Sequence, residues 1–591
     1  MKKLLFILLF YQVGTVYSNL DNNDTIYLKK VTVKERLSPL KIYSFKVEGI
    51  VNTTNLLTSL PFISTKKYGI NGVTTVSYNG LPSRFTTTKW EGIELNSVMS
   101  GDFNFSLLPL MPESKVVLCN NDEETPFNFN VYMPKTSFLH LSISNANNIK
   151  LNLNKPITFK KHKLKFMANY YYNQNRFNVL NEFTSPVSIV TLPANISTGR
   201  VFGVKDNISM KKNWDIDFAS LYLYDYKHII PPIFKSNSTE YLTYEIYGFK
   251  ISSKNYFNNF QNKLSYSFTK NFLHYIDSAK TIYSHNNSLL SNINNLLSII
   301  LNNKIKLTLS TNLKSEKAIS NNYESTVTRN SFLVLPGMTF TTKNTILKLN
   351  AGTFFATNKF FSNYNFRLQQ KIKKKFSIAL LHNRFIKLPN LNDLYWYPGG
   401  TPNLSEEILN STTLQFKYGS SILLNFINSS VKNEILWLPS LTGSYWEPVN
   451  VHLSYRKSVS LTLRHSKIVG KLKLSLLNTS TYTNAKDSSG KFLMFIPSLK
   501  NYTQLKFDFN KFSISVDYNY YGKRYITTDN TSMLPAFHLF NGYFSYSFKK
   551  IRLVFSIYNI TNTNYAFIKS NPMPLRYSQV AVIYLFNNKK K

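Results

Sequence analysis

The sequence predicts an all-β transmembrane barrel of about 22 antiparallel strands with an N-terminal α+β plug domain inside the lumen. Three observations carry this expectation. Apolar and polar residues alternate with a period of two along most of the chain. No apolar run of membrane-spanning length occurs beyond residue 18. Residues 19–135 follow a different, mixed pattern.

The N-terminal stretch "MKKLLFILLFYQVGTVYS" places Lys2 and Lys3 ahead of an apolar run from Leu4 to Phe10 that extends to Val13, with small residues near Ser18. A basic start, a short apolar centre and a small-residue site make a secretory signal, with cleavage expected after Ser18. The run is too short to serve comfortably as a spanning anchor. The mature chain is therefore expected to be exported, and no inner-membrane helix is expected.

Alternation starts near residue 137. "FLHLSISNA" carries Leu139, Leu141 and Ile143. "LKFMANYYYN" carries Leu164, Phe166, Ala168, Tyr170 and Tyr172. "WDIDFASLYLYDY" carries Trp214, Ile216 and Phe218, then Tyr222, Tyr224 and Tyr226. In "QLKFDFNKFSISVDYNYYG", Leu505, Phe507 and Phe509 alternate with polar residues up to Asn510-Lys511, and Phe512, Ile514, Val516, Tyr518 and Tyr520 alternate beyond it. A strand points successive side chains to opposite faces, so each segment has one oily and one polar face, and the "NK" pair reads as a hairpin turn. "SVSLTLRHS", "KLKLSLLN" and the final "QVAVIYLF" repeat the pattern.

Many alternating strands suit either a soluble sandwich or propeller, or a membrane barrel. Bladed proteins show a sequence repeat, and none is seen here. A barrel turns the oily faces to lipid and closes on itself, so no strand edge meets hydrocarbon. About 445 residues follow residue 140, and at ~9–11 residues per crossing plus turns they accommodate roughly 16 to 22 strands. A wide barrel needs a plug. In residues 19–135, "NLLTSLPFI" (55–63) reads as a short helix stopped by Pro, and "VTTVSYNG" (73–80) and "RFTTTKWEGIELN" (84–96) as short strands with Gly turns.

Of the 591 residues, 15% are aromatic, which suits strands, and Lys+Arg outnumber Asp+Glu 70 to 30 for a formal charge of +40. Such a balance attracts anionic partners such as nucleic acid, lipid phosphate or an acidic ligand. The basic residues are spread along the chain, not clustered, and Lys, Asn and Ile abound everywhere, so the bulk of the charge reads as AT-rich composition. A single cysteine, Cys119, excludes an internal disulfide. No "HExxH", "GxSxG", phosphate-cradling Gly loop or Cys pair is present, so no catalytic or metal-binding residues are nominated and the chain is not read as an enzyme. His382, His452 and His465 lie among strand-like segments. Asp122, Glu123 and Glu124 lack the Gly of a Ca²⁺ loop and read as a solvated turn.

Several motifs resemble those of TonB-dependent outer-membrane receptors, over nearly the whole mature length. "DTIYLKKVTV" (24–33) resembles the energy-coupling box of the Bacteroidetes branch. "LLTSLPFISTKKYGINGVTTVSYNG" is similar to the plug opening, with Phe62 and Asn79 in place of a Gly and an Arg. "TKWEGIELNSVMSGDFNFSLLP" follows the plug pattern "DGI-x-LN … G … D-x-x-x-LP". "RFIKLPNLNDLYWYPGGTPNLSEE" (384–407) resembles the barrel signature "P-x-LNDLYW-x-x-GGNP-x-L-x-x-E", with Thr401 for Asn. "YNITNTNY" and "NPMPLRYSQVAVIYLF" resemble the closing segments. One departure stands out. "VVLCNNDEETPFNFNVYM" (116–133) lacks the Gly residues of the usual plug end, which puts normal plug gating in doubt.

The resemblance implies a signal peptide at 1–18, a periplasmic segment at 19–35, a plug at 36–135 and a barrel at 136–591, monomeric in the outer membrane of a Gram-negative bacterium. It implies that Asp24, Thr25, Ile26, Leu28, Val31 and Val33 pair as a strand with the TonB protein of the TonB–ExbB–ExbD complex. It implies a scarce small-molecule ligand, cobalamin, a ferric siderophore or similar, imported to the periplasm, with outer-membrane lipid as the other partner, no cofactor and no nucleic acid. The plug's outward loops map to Lys66–Gly72 and Asn96–Ser100. Tyr68, Asn71, Asn96 and Ser97 are the candidate ligand contacts there, with Tyr395, Trp396 and Tyr397 on the barrel. Those three rings equally suit a strand end at the membrane interface. A passive porin or degenerate receptor is the alternative, and an outer-membrane enzyme or adhesin fits less well.

Overall fold

The structure is a computed structural model that describes residues 41–46, 53–60, 62–120, 125–181, 185–192, 196–211, 213–229, 233, 239–440 and 443–586. The expected signal segment, the six coupling residues from Asp24 to Val33 and the acidic run 122–124 lie outside the described residues.

Twenty-two strands close into one barrel, from Phe138–Ser144 to Tyr577–Leu585. Neighbouring strands follow one another in sequence and pair antiparallel. The last closes on the first, with Gln579 opposite Ser144 and Leu585 opposite Phe138. Among the described residues no helix is long and apolar enough to cross a membrane. The alternation that predicts the strands also sorts their faces. In Phe138–Ser144 the burial alternates residue by residue, with Leu139, Leu141 and Ile143 outside and His140 and Ser142 inside. The hairpin of Leu499–Phe509 and Phe512–Tyr521 turns at Asn510-Lys511 and exposes Leu505, Phe507, Phe509, Phe512, Ile514 and Val516. Apolar-out with polar-in is the reverse of a water-soluble fold and is the arrangement that hydrocarbon requires.

The two rims differ. At one, ten turns of two to four residues join the strands, several with a left-handed first residue: Lys160, Asn258, Gly470, Asn510 and Lys549 all have positive φ. Such two-residue turns match the twist of paired strands. The plug leads into the first strand at this rim, and the last strand ends there. The other rim carries longer connections, among them 174–196, 388–406, 522–536 and 559–576. Short turns mark the periplasmic end of a bacterial barrel and long loops the outer end.

The plug is built on β1 (Lys41–Lys46), β2 (Ile63–Lys67), β3 (Thr74–Tyr78), β4 (Thr86–Trp90), β5 (Ile93–Glu94), β6 (Lys115–Asn120) and β7 (Phe127–Tyr132), with helix α1 (Thr53–Thr58). A mixed sheet runs β1-β6-β7-β4-β5, with β4 and β7 parallel, while β2 and β3 form a separate hairpin. Helix α1 starts and ends earlier than the sequence pattern suggests, stopping short of Pro61. Leu57, Ile63, Trp90, Leu118, Phe127 and Phe129 form the plug core, with Tyr78 stacked on Phe127 at 4.1 Å between centroids. That core is continuous with inward-facing barrel residues Leu221, Leu223, Ile246, Phe385 and Val431. The plug therefore packs against the wall from inside the lumen. At Gly203 a Cβ would come within 2.7 Å of the Trp90 ring, so the barrel wall has no room for a side chain there.

Candidate ligand-binding mouth

Two plug loops reach the loop rim. The first joins β2 to β3. Tyr68 is partly exposed there, with the Lys66 ammonium 5.7 Å from its ring centroid. Asn71 has φ 56°, a conformation Asn tolerates. Its amide donates to Asn175 Oδ1 of the barrel loop 174–196 at 2.9 Å, and its carbonyl accepts from Lys227 Nζ at 3.2 Å. Lys227 also donates to Ser106 Oγ at 2.9 Å and pairs with Asp225 at 3.0 Å.

The second loop, Asn96–Gly101, sits beneath the signature segment 384–407. There helix α2 (Leu391–Tyr395) has Asn390 as its N-cap, whose N–H donates to Asp393 Oδ2 at 2.9 Å. The backbone N–H of Asn392 donates to the Met99 carbonyl at 2.9 Å, and that of Leu391 to Val98. Gly101 has φ +75°, and a Cβ on it would lie 2.0 Å from Asn390 Oδ1. Trp437 Nε1 donates to Asp393 Oδ1 at 2.9 Å, Tyr323 OH donates to Asn392 Oδ1 at 2.6 Å, and Arg329 Nη1 donates to the Pro389 carbonyl at 2.6 Å. The signature is thus a clamp that seats a barrel loop on the plug.

The sequence candidates divide on this geometry. Tyr68 and Asn71 stand at one plug apex. Asn96 is buried, and its side chain serves the backbone: Oδ1 accepts from Thr88 N–H at 2.8 Å while Nδ2 donates to the carbonyls of Thr86 and Gly101. Ser97 Oγ accepts from Met99 N–H at 3.2 Å. Tyr395, the last residue of α2, and Tyr397 just beyond it are exposed, and Trp396 is half-buried against the Val98–Leu391 cluster. Asn390 and Asp393, three apart before an apolar run, are a helix-start signal legible in sequence but not among the nominated residues.

Sequence reasoning did not find the buried charges between plug and wall. Arg84 of the plug makes a two-pronged pair with Glu407, whose side chain is fully buried, and donates to the Ile435 carbonyl at 2.9 Å. Burial disfavours the guanidinium, but Glu407 beside it outweighs that and holds its pKa above the ordinary arginine value. Arg456, on the wall, pairs with Glu434 at 2.6 Å and donates to the Gly80 carbonyl of the plug at 2.8 Å. Glu94 lies 3.2 Å from Lys314; burial raises its carboxyl, and Lys314 and Lys89 carry it back below the usual carboxylate value. Glu91 pairs with Lys205. Lys67 donates to Thr58 Oγ1 at 2.7 Å, and burial, then Lys500, pushes its ammonium well down. The plug-to-wall partners Arg84–Glu407, Arg456–Gly80 and Glu94–Lys314 are hundreds of residues apart and leave no local signal.

Among the cavities between plug and wall are two lined by described residues. One of about 90 Å³ is lined by Asn71, Ser106, Tyr171, Asp225 and Lys227, the other of about 120 Å³ by Arg84, Glu94, Lys314, Glu316 and Lys387. Each has room for only a few waters and falls well short of the ~300–1,000 Å³ of a small-molecule site. Among the described residues no group of three His, Cys, Asp or Glu could hold a metal ion.

No family profile and no curated protein matches the sequence. Solved structures do match. The siderophore receptor PirA of Acinetobacter baumannii superposes with a TM-score of 0.75 at 10% identity, covering 93% of this chain and 98% of that one. The fold is that of a TonB-dependent receptor. A mutant of the ferric enterobactin receptor of Pseudomonas aeruginosa aligns at TM-score 0.74 and 12% identity, over 92% of this chain and 96% of that one. A variant of the FrpB iron transporter of Neisseria meningitidis aligns at 0.75 and 11%, over 92% and 99%. The closed ladder and apolar belt are those of an outer-membrane barrel.

Proposed function

We propose that this chain is an outer-membrane receptor that captures a scarce ligand, a ferric siderophore, a metal chelate or cobalamin, at its loop rim and imports it with energy supplied by the TonB complex. One observation carries the reading: the N-terminal domain sits inside the ring of strands and shares one packed core with the barrel wall. On this reading the ligand passes only when the plug rearranges. The latches at Arg84, Arg456 and Glu94 are what that rearrangement must break. Ligand drives it only by binding the rearranged or coupling-competent state better than the resting one.

The fold neighbours named above, a siderophore receptor, an enterobactin receptor and an iron transporter, support a ligand of this class. Tyr68 and Asn71 on the plug, with Tyr395 and Tyr397 on the clamp, are the proposed contacts. Asp24–Val33 is the proposed coupling strand. The test is uptake of radiolabelled ferric siderophores and cobalamin by cells carrying the full chain or one lacking residues 24–33, with and without collapse of the proton gradient. Uptake that stops with the deletion and with the collapsed gradient supports the reading. Uptake indifferent to both makes the chain a passive pore.

A further inference from the structure

The basic residues are dispersed in sequence but gathered in space. Seven of the ten turns at the short-turn rim hold a described lysine, and none of the ten holds Asp or Glu. The turn at 372–375 reads Ile-Lys-Lys-Lys. Lys373, Lys374, Lys375, Lys471 and Lys550 are exposed and make no ion pair among the described residues. The opposite rim mixes its charges: Glu324, Asp393, Glu406 and Asp529 stand in its loops beside seven described Lys and Arg. Several of its cations are paired, such as Arg329 with Glu316 and Lys359 with Glu406.

The collar is continuous with the lipid-facing belt. Phe159, Phe257, Phe260, Phe509, Phe512 and Phe548 project outward at the strand ends where these turns begin. The Lys511 and Lys549 ammonium groups lie 5.4 and 5.3 Å from the Phe548 ring centroid. Rings at the edge of an apolar belt sit at headgroup level, and lysine stems beside them reach past it into the phosphate layer. A net-positive ring at that depth faces lipid phosphates.

We infer that the short-turn rim is a docking collar for anionic phospholipid headgroups of the leaflet it stands in. The collar selects phosphatidylglycerol-type lipid for the shell around the barrel, at the end from which the plug is entered. It does not depend on the transport reading, only on the barrel's seat in a bilayer.

The full chain is reconstituted in vesicles of phosphatidylcholine or of an equimolar mixture with phosphatidylglycerol. Lipid retained after mild detergent extraction is then quantified. The expected shell is enriched about two- to fivefold in phosphatidylglycerol, and the enrichment fades as salt rises. The variant K373Q/K374Q/K375Q/K471Q/K550Q should lose most of it. A control with five loop-rim changes, K280Q/K359Q/K432Q/K491Q/K523Q, should keep it. An unenriched wild-type shell, a salt-insensitive one, equal loss in the control, or displacement by inorganic phosphate at matched ionic strength each overturns the inference. The wild-type salt series decides the matter even where the collar variant fails to fold.

Discussion

Replacing Arg84 by Ala should loosen the plug far more than its single side chain suggests. Glu407 is fully buried, and Arg84 is the cation that compensates it; among the described residues what remains is one backbone N–H, that of Ile435 at 2.9 Å. One neutral donor does not compensate a desolvated carboxylate. Removing one partner of a buried ion pair costs about 3–5 kcal/mol. At about 1.4 kcal/mol per factor of ten, the undocked population rises by roughly two to three and a half orders of magnitude. The chain carries its own reporter, because its single cysteine, Cys119, is buried on β6 of the plug. Maleimide labelling of Cys119 in the folded, detergent-solubilised barrel should accelerate at least a hundredfold in R84A. The double variant R84M/E407Q, which removes both charges, should return most of the way to wild type. Labelling of R84A within twofold of wild type would refute the claim that this pair holds the plug.

Arg456→Ala strands Glu434 in the same way and should cost about 3–5 kcal/mol, read as a lower temperature at which the folded electrophoretic band is lost, with Arg456→Lys recovering part of it. For pH, the Glu94 carboxyl sits below its unfolded value of about 4.3, so its contribution is fully present above that value and is lost as pH falls through the folded one. Cys119 labelling, normalised to the unfolded chain, should therefore quicken in acid in wild type and less so in E94Q. Gly101→Ala adds a Cβ in a left-handed conformation against Asn390 and should cost about 2 kcal/mol or more, seen as easier proteolysis of the 388–406 loop.

The barrel was legible in the sequence because lipid and lumen impose opposite polarity on alternate residues, as Phe138–Ser144 and Phe512–Tyr521 display. The strand count was legible only as a range, because strands run from 7 to 24 residues and the turns between them add no periodic mark. The β3 and β4 segments of the plug stood out by their Gly and Asn turns. The clamp at 384–407 was visible as a motif, yet its role was not, since its helix gains meaning only from Met99 and Gly101 beneath it. Asn96 was a candidate contact by its place in a plug loop, and its side chain bonds three backbone groups that only the fold brings to it. The latches were invisible because Arg84 and Glu407 are 323 residues apart and Arg456 and Gly80 are 376 apart. The basic collar was hidden for the related reason that its turns are scattered along the chain and converge only when the strands close.

Planar-bilayer conductance tests the central claim most directly: a sealed cylinder in lipid whose lumen is occupied by its own N-terminal domain. The mature chain is expected to insert and stay nearly silent, and a chain lacking residues 19–135 to insert and open a large, steady pore. Equal conductance from the two, or insertion of neither, would contradict it.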